Sequence, residues 1–212
     1  MTRLALWLSL IGVPLLAADT DLNRMLKAVE NRYNHARTLQ VRFTESYRGQ
    51  GRPRQDEAGK LTIQKPGRMR WDYSIPAGKF FLSDGKNVYL YTPEFKRVER
   101  MLLKETDDMR APLAFLLGKL DFSRDFRDIQ MSSDGGNYVI QGKAKSDKLP
   151  YDRIEMWITP GYEIRKMILN EQDSSVLTYD FEHETLNPAV DDRLFKFQMP
   201  AGAALVNSEA VQ

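Results

Sequence analysis

The sequence predicts a mainly β protein of the α+β kind: one large antiparallel sheet with a helix in front of it and a short helix in the middle. Three observations predict this. Apolar residues recur at three- and four-residue steps over one stretch only, residues 19–36. From residue 39 onward the period is two, in roughly ten short runs about 8–15 residues apart. Between those runs lie Asp-Gly, Gly-Gly and Pro-Gly, the chemistry of tight turns between antiparallel neighbours.

The chain begins MTRLALWLSLIGVPLLAA: one Arg, an apolar run from Leu4 to Leu16, then small residues before Asp19. That pattern is a secretory signal peptide. The run is short of the roughly 20 apolar residues that a membrane span needs. Cleavage is expected after Ala18, with Ala17 as the alternative. The organisation expected is therefore a signal peptide over 1–18 and a single domain over 19–212, a size that fits one core. There is no cysteine, hence no disulfide, no thiolate metal ligand and no lipid attached through an N-terminal cysteine. With 31 basic and 29 acidic residues the formal charge is +2, far from the clustered basic character of a nucleic-acid binder.

In residues 19–36, Asp19, Thr20 or Asp21 can cap a helix. Leu22, Met25, Leu26, Val29, Tyr33 and Ala36 make its apolar stripe, while Arg24, Lys27, Glu30, Asn31 and Asn34 lie opposite. Leu39, Val41 and Phe43 then alternate with Gln40, Arg42 and Thr44. Residues 49–59 read as a polar connection. Leu61 and Ile63 lead to a Lys65-Pro66-Gly67 turn, after which Met69, Trp71 and Tyr73 share one face and Arg68, Arg70 and Asp72 the other. GKFFLSD and NVYLYTP form a hairpin around Asp84-Gly85, whose role is that of a turn. Either Val88 and Leu90, or Tyr89 and Tyr91, face inward there. Further strands are expected near 94–101, 125–132, 137–145, 151–159, 162–170, 175–186 and 193–198. In one of these, Ile154, Met156 and Ile158 line one side. Residues 110–118, RAPLAFLLG, have Pro near the start and Gly at the end of a short helix, with Leu113, Leu116 and Leu117 on one side. A sheet of this many strands, half wet and half buried, tends to curl or close.

Several stretches together carry a family likeness: KPGRMRWDYSIP (65–76), FLSDGKNVYLYTP (81–93), APLAFLL (111–117) and LNEQDSSVLTYDFEHETLNPAVDDRLFKFQMPAGA (169–203). In these the chain resembles the periplasmic outer-membrane lipoprotein carriers of the LolA family, over nearly all of its length after the signal peptide. The resemblance implies an unclosed antiparallel β-barrel of about ten to eleven strands with an N-terminal helix and a short helical lid. It implies a soluble, monomeric periplasmic chaperone that shelters lipoprotein acyl chains in a hydrophobic cavity. Such a carrier receives its load from an inner-membrane, ATP-driven release complex of ABC type and passes it to an outer-membrane receptor lipoprotein. The family often has Arg before the Pro that follows the second strand, where it helps to hold the lid. Lys65 stands there in this chain, and keeps the charge without the planar fork of donors.

The physics of such a task suits the pattern. A triacylated lipoprotein exposes on the order of 40–50 methylenes, which at about 0.8 kcal/mol each makes a bare crossing of water cost roughly 30–40 kcal/mol. A concave sheet face rich in aromatic and Met side chains can take variable chains. By alternation the candidates are Leu39, Val41, Phe43, Leu61, Ile63, Met69, Trp71, Tyr73, Ile154, Met156 and Ile158. Lys65, Leu113, Leu116 and Leu117 are the candidate lid residues. Each of the apolar ones reads equally as plain core, and the carrier reading needs the concave side to stand partly empty.

Nothing in the pattern suggests catalysis. The two histidines, His35 and His183, lie far apart, no Gly-x-Ser-x-Gly is present, and neither metal-ligand spacing nor a phosphate loop appears. No enzyme, no cofactor, no metal and no nucleic-acid partner are expected. A carrier of another lipid or glycolipid on the same scaffold is the alternative. A sensor of mislocalised lipoprotein would need a further domain, and a lipid hydrolase would have to use His35 or His183.

Overall fold

The computed structural model describes residues 16–49, 54–103, 120–146, 149 and 151–207. Helix α1 spans Leu16–His35. Six strands follow: β1 Thr38–Arg48, β2 Glu57–Gln64, β3 Arg68–Ile75, β4 Phe80–Asp84, β5 Asn87–Thr92 and β6 Arg97–Leu102. After a short helix α2, Phe122–Asp125, come β7 Phe126–Asp134, β8 Asn137–Ala144, β9 Tyr151–Ile158, β10 Ile164–Glu171, β11 Val176–Leu186 and β12 Ala204–Asn207. These twelve strands belong to one sheet in the order β12-β6-β5-β4-β3-β2-β1-β11-β10-β9-β8-β7. The sheet never closes among the described residues: β12 and β7 are its two edges. Each of its pairings is antiparallel except β12 with β6. An unclosed, mainly β architecture with an N-terminal helix is thus observed.

Register explains how the inner face is assembled. Val41 of β1 stands opposite Leu61 of β2, Leu61 opposite Trp71 of β3, Trp71 opposite Phe81 of β4, and Phe81 opposite Leu90 of β5. Because strand side chains alternate between faces, these five lie on one side. That settles the hairpin: Val88 and Leu90 share the inner side, whereas Tyr89 packs outward with Leu82, Val98 and Phe195, its ring stacked 4.1 Å from Phe197. Gly59 sits in register between Phe43 and Tyr73. A Cβ there would come within 2.2 Å of the Asp72 carbonyl oxygen, so only glycine fits this close strand approach. The missing side chain lets the Phe43 and Tyr73 rings meet edge to face at 5.1 Å.

Strict alternation breaks at one important place. Tyr179 and Phe181 of β11 point inward, but His183 adopts φ 56° and the β1–β11 register shifts beside it. This bulge switches the phase of β11: His183 is exposed, while Glu184 and Leu186 turn toward the inside.

Four details differ from the sequence expectation. The sheet has twelve described strands rather than ten or eleven, because the four-residue β12 shows no alternation long enough to reveal it. Residues 193–198 are not a strand: Asp191 caps a 3-10 turn, Asp192–Phe195, by accepting from the Arg193 N–H. Phe195 and the partly buried Phe197 of that segment cover the outer side of β4–β6 instead. Strand β6 begins only at Arg97, since Pro93–Phe95 forms a 3-10 turn that ends in Lys96 at φ 46°. Strand β2 reaches back to Glu57, into what reads as a connection. The 110–118 segment lies outside the described residues.

Candidate functional site

The inner face of the curled sheet carries the main core. Leu39, Val41, Phe43, Leu61, Ile63, Met69, Trp71, Ile154, Met156 and Ile158 are all buried in one cluster, and Tyr73 packs against it partly buried. All eleven apolar candidates are therefore brought together. The cluster continues through Ile140, Met167, Leu169, Tyr179 and Phe181, which alternation also offers but which the sequence reading passes over. Trp71 is its aromatic centre, 4.6 Å from the Phe43 ring and 5.8 Å from that of Tyr179.

This face is not empty. Helix α1 lays Met25, Leu26, Val29 and Tyr33 onto it, and Leu120, Phe122 and Phe126 close it from the α2 side. Beside Tyr33, Ala36, Leu39 and Ile63 lies a gap of about 10 Å³, at the lower limit for one water. A larger groove of about 540 Å³ lies on the charged outer side, lined among others by Arg42, Thr44, Lys60, Asp72, Asp180 and Glu182. The apolar interior expected to stand partly open is, in this conformation, occupied by the protein's own helix.

What distinguishes α1 from ordinary core is the polar way in which it is held. The Tyr33 hydroxyl donates to Glu184 Oε2 at 2.6 Å and accepts the Ile164 N–H at 2.9 Å. Arg32 pairs with Glu184 Oε1 at 2.6 Å. Burial pushes the Glu184 carboxyl above its usual range, against the lowering effect of its bonds to Tyr33 and Arg32. At the other side, Asn34 exchanges two bonds with the Leu120 backbone, 2.8 Å to its O and 2.7 Å from its N. Glu30 accepts the Phe122 N–H at 2.9 Å. Glu30, expected on the wet face, is buried for that reason. These groups tie α1 to the sheet and to the segment leading into α2.

Lys65 donates from Nζ to the Tyr33 carbonyl at 2.7 Å, near the C-terminal end of α1, where a cation is favourable. Burial lowers its pKa. Its observed partner is thus the N-terminal helix. Leu113, Leu116 and Leu117 lie outside the described residues. Of the histidines, the His35 ring nitrogen Nδ1 pairs with the Asn31 carbonyl at 2.8 Å, and His183 is exposed on its bulge in another element.

An inward position on β1 is polar. Glu45 follows Leu39, Val41 and Phe43 on the inner side of β1 and stands opposite Glu57 of β2 and Tyr179 of β11. Its carboxyl is pushed up to about 7, first by burial and next by the charge of Glu57, opposed by Lys79 and by the hydroxyls of Tyr179 and Tyr73.

Comparison with known proteins matches this geometry to one family. The profile described as "Outer membrane lipoprotein carrier protein LolA" matches residues 34–198. An outer-membrane lipoprotein carrier protein of Methylobacillus flagellatus is 30% identical over 158 residues, covering 74% of this chain and 76% of that one. Another, from Methylococcus capsulatus, is 28% identical over 200 residues, 91% and 94% of the two chains. A conserved protein of Thermus thermophilus shares the fold at 10% identity with a TM-score of 0.55, over 89% of this chain and 99% of its own. The family match begins at the end of α1 and runs through the 3-10 turn on the outer face, so it takes in every strand from β1 to β11. With its unclosed sheet and helix-covered apolar inner face, the chain belongs to the LolA family of outer membrane lipoprotein carrier proteins.

Proposed function

We propose that the protein carries lipoproteins from the inner to the outer membrane, holding their acyl chains against the inner face of the sheet in place of α1. The observation that carries this reading is the covering of that face. Among the described residues, a contiguous apolar surface on an unclosed sheet is sheltered by α1 together with Leu120, Phe122 and Phe126, and α1 is fastened through a handful of side-chain bonds rather than through strand pairing. Strand pairing would have to be broken cooperatively; side-chain clips can be released and remade. When α1 lifts, Met25, Leu26, Val29 and Tyr33 vacate the surface and acyl chains offer the same apolar contact. Displacing α1 offsets part of the gain from cargo contact and so moderates the grip: a grip far stronger than the membrane's would never release. The family relationship supports the cargo class.

The carrier works in the periplasm after export by the N-terminal segment. It takes its load from an inner-membrane ABC-type release complex and delivers it to an outer-membrane receptor. It acts by sheltering cargo and not by catalysis. The test is identification of the bound molecule: the protein purified gently from its host is expected to carry diacylated or triacylated lipoprotein by mass spectrometry. Depletion is expected to leave lipoproteins in the inner membrane. Recovery of a different lipid, with normal lipoprotein sorting on depletion, would replace this reading by the general lipid carrier.

A further inference from the structure

We propose that Glu45 links the grip on acyl chains to a proton, so that cargo covering this part of the inner face binds together with H⁺. This rests on the reading that the chains occupy the inner face.

The geometry is a carboxyl placed in an apolar row. Across the sheet, Glu45 stands in register with Tyr179, Tyr179 with Met167, Met167 with Met156, Met156 with Ile140, and Ile140 with Met131. A chain lying along this row of adaptable side chains ends on Glu45. Its neighbours on every packed element can be named. On β1 itself these are Phe43 and Tyr47, the latter covered by the Arg54 guanidinium at 3.9 Å. Glu57 faces it from β2, Tyr73 from β3, Lys79 from the β3–β4 turn and Tyr179 from β11. Two carboxylates thus share one ammonium, and Lys79 is already committed: it is ion-paired with Glu57 and lies 4.3 Å from the centre of the Tyr73 ring. Among the described residues Glu45 is hydrogen-bonded by the Tyr179 and Tyr73 hydroxyls, and it remains partly accessible to water. Its charged form therefore depends on that water. An acyl chain removes the water and brings no charge, which disfavours the carboxylate. The carboxyl already titrates near neutrality, so the proton is available at working pH. By linkage, binding takes up H⁺ and tightens as pH falls.

The experiment is titration calorimetry of the wild-type protein with dioctanoylglycerol, an uncharged diacyl probe, at several pH values and in buffers of different ionisation enthalpy. The expected result is uptake of a fraction of one proton per probe near pH 7, with affinity about three- to tenfold tighter at pH 6 than at pH 8.5. In Glu45→Gln the uptake should vanish and the affinity should become flat across that range. In Glu57→Gln, where Lys79 is freed to pair with Glu45, the uptake should move to lower pH. Binding by the wild type without proton uptake, or uptake that persists in Glu45→Gln and so belongs to another group such as Glu184, would overturn the proposal while leaving the carrier reading intact. Failure of the wild type to bind the probe at any pH would instead remove the carrier reading, and this proposal with it.

Discussion

Replacing Tyr33 by Phe isolates the claim that α1 is a detachable cover. The ring is 3% exposed, and Phe keeps its shape and apolar contacts. What is lost is one hydroxyl with two partners, Glu184 at 2.6 Å and the Ile164 N–H at 2.9 Å. A hydrogen bond to a charged group contributes about 1.5–3 kcal/mol, and a buried amide left unpaired costs about 1–3 kcal/mol. Glu184 keeps Arg32, which softens the first loss. A net weakening of about 2–4 kcal/mol at the α1 seat follows, equivalent to an opening equilibrium shifted roughly 30- to 1000-fold. Native-state hydrogen exchange reads this directly. Amides of α1 between Met25 and His35 should exchange faster by that factor, while those of β9 and β10 should hold their protection. Uptake of a diacyl probe should become easier in the same variant. If α1 amides are unchanged, the clip does not hold the helix. If the sheet amides accelerate by the same factor as α1, the helix and sheet unfold as one unit and α1 cannot be a cover.

Further outcomes are expected elsewhere. Lys65→Glu removes the bond to the Tyr33 carbonyl and puts a like charge at the negative end of α1; the probe should be released faster, and unchanged release kinetics would deny Lys65 a latching role. Trp71→Ala removes the ring between Phe43 and Tyr179 and should cost about 3–5 kcal/mol in denaturant unfolding; a loss under about 1 kcal/mol would mean that the inner face is loosely packed even with α1 in place. Glu45→Gln should stabilise the protein at pH 8 by about 1–2 kcal/mol, a value reduced from the full shift because the group is partly solvated. The sign follows from a folded-state carboxyl raised to about 7 against about 4.5 when unfolded. The folded protein holds the proton more tightly, so the wild type loses stability as pH rises between those values and the difference from Gln closes below pH 5. Denaturation at pH 8 and pH 5 checks it, and a variant no more stable than wild type at pH 8 would contradict it.

Much of the fold was legible because the sheet is built on long stretches of clean alternation. Trp71, Met69, Ile154 and Met156 could be assigned to the inner side by counting in twos, and the stripe of α1 by counting in threes and fours. What escaped has physical causes. The bulge at His183 reverses the phase of β11, so counting from Phe181 points the wrong residue inward and hides Glu184. Glu30 and Asn34 look solvated by helical spacing, but they bond backbone groups of Leu120 and Phe122 more than 80 residues away, a contact that no local pattern encodes. Strand β12 is too short to show a period and pairs in parallel with a distant partner. Glu45 carries the right periodicity for the inner face and the wrong chemistry for a core, and that mismatch is itself the signal. The apolar candidates could be named from sequence, but that α1 fills the surface they form is a matter of which element docks where.

The most direct measurement maps where the cargo lies. A diacylated lipoprotein bearing a diazirine at the end of an acyl chain is loaded onto the wild-type protein, irradiated, and the adducts located by mass spectrometry. Labelling should fall on Trp71, Met156, Met167 and their inner-face neighbours, and α1 should gain exchange in the loaded state. Adducts confined to the outer groove around Arg42 and Lys60, with α1 still protected, would contradict the account.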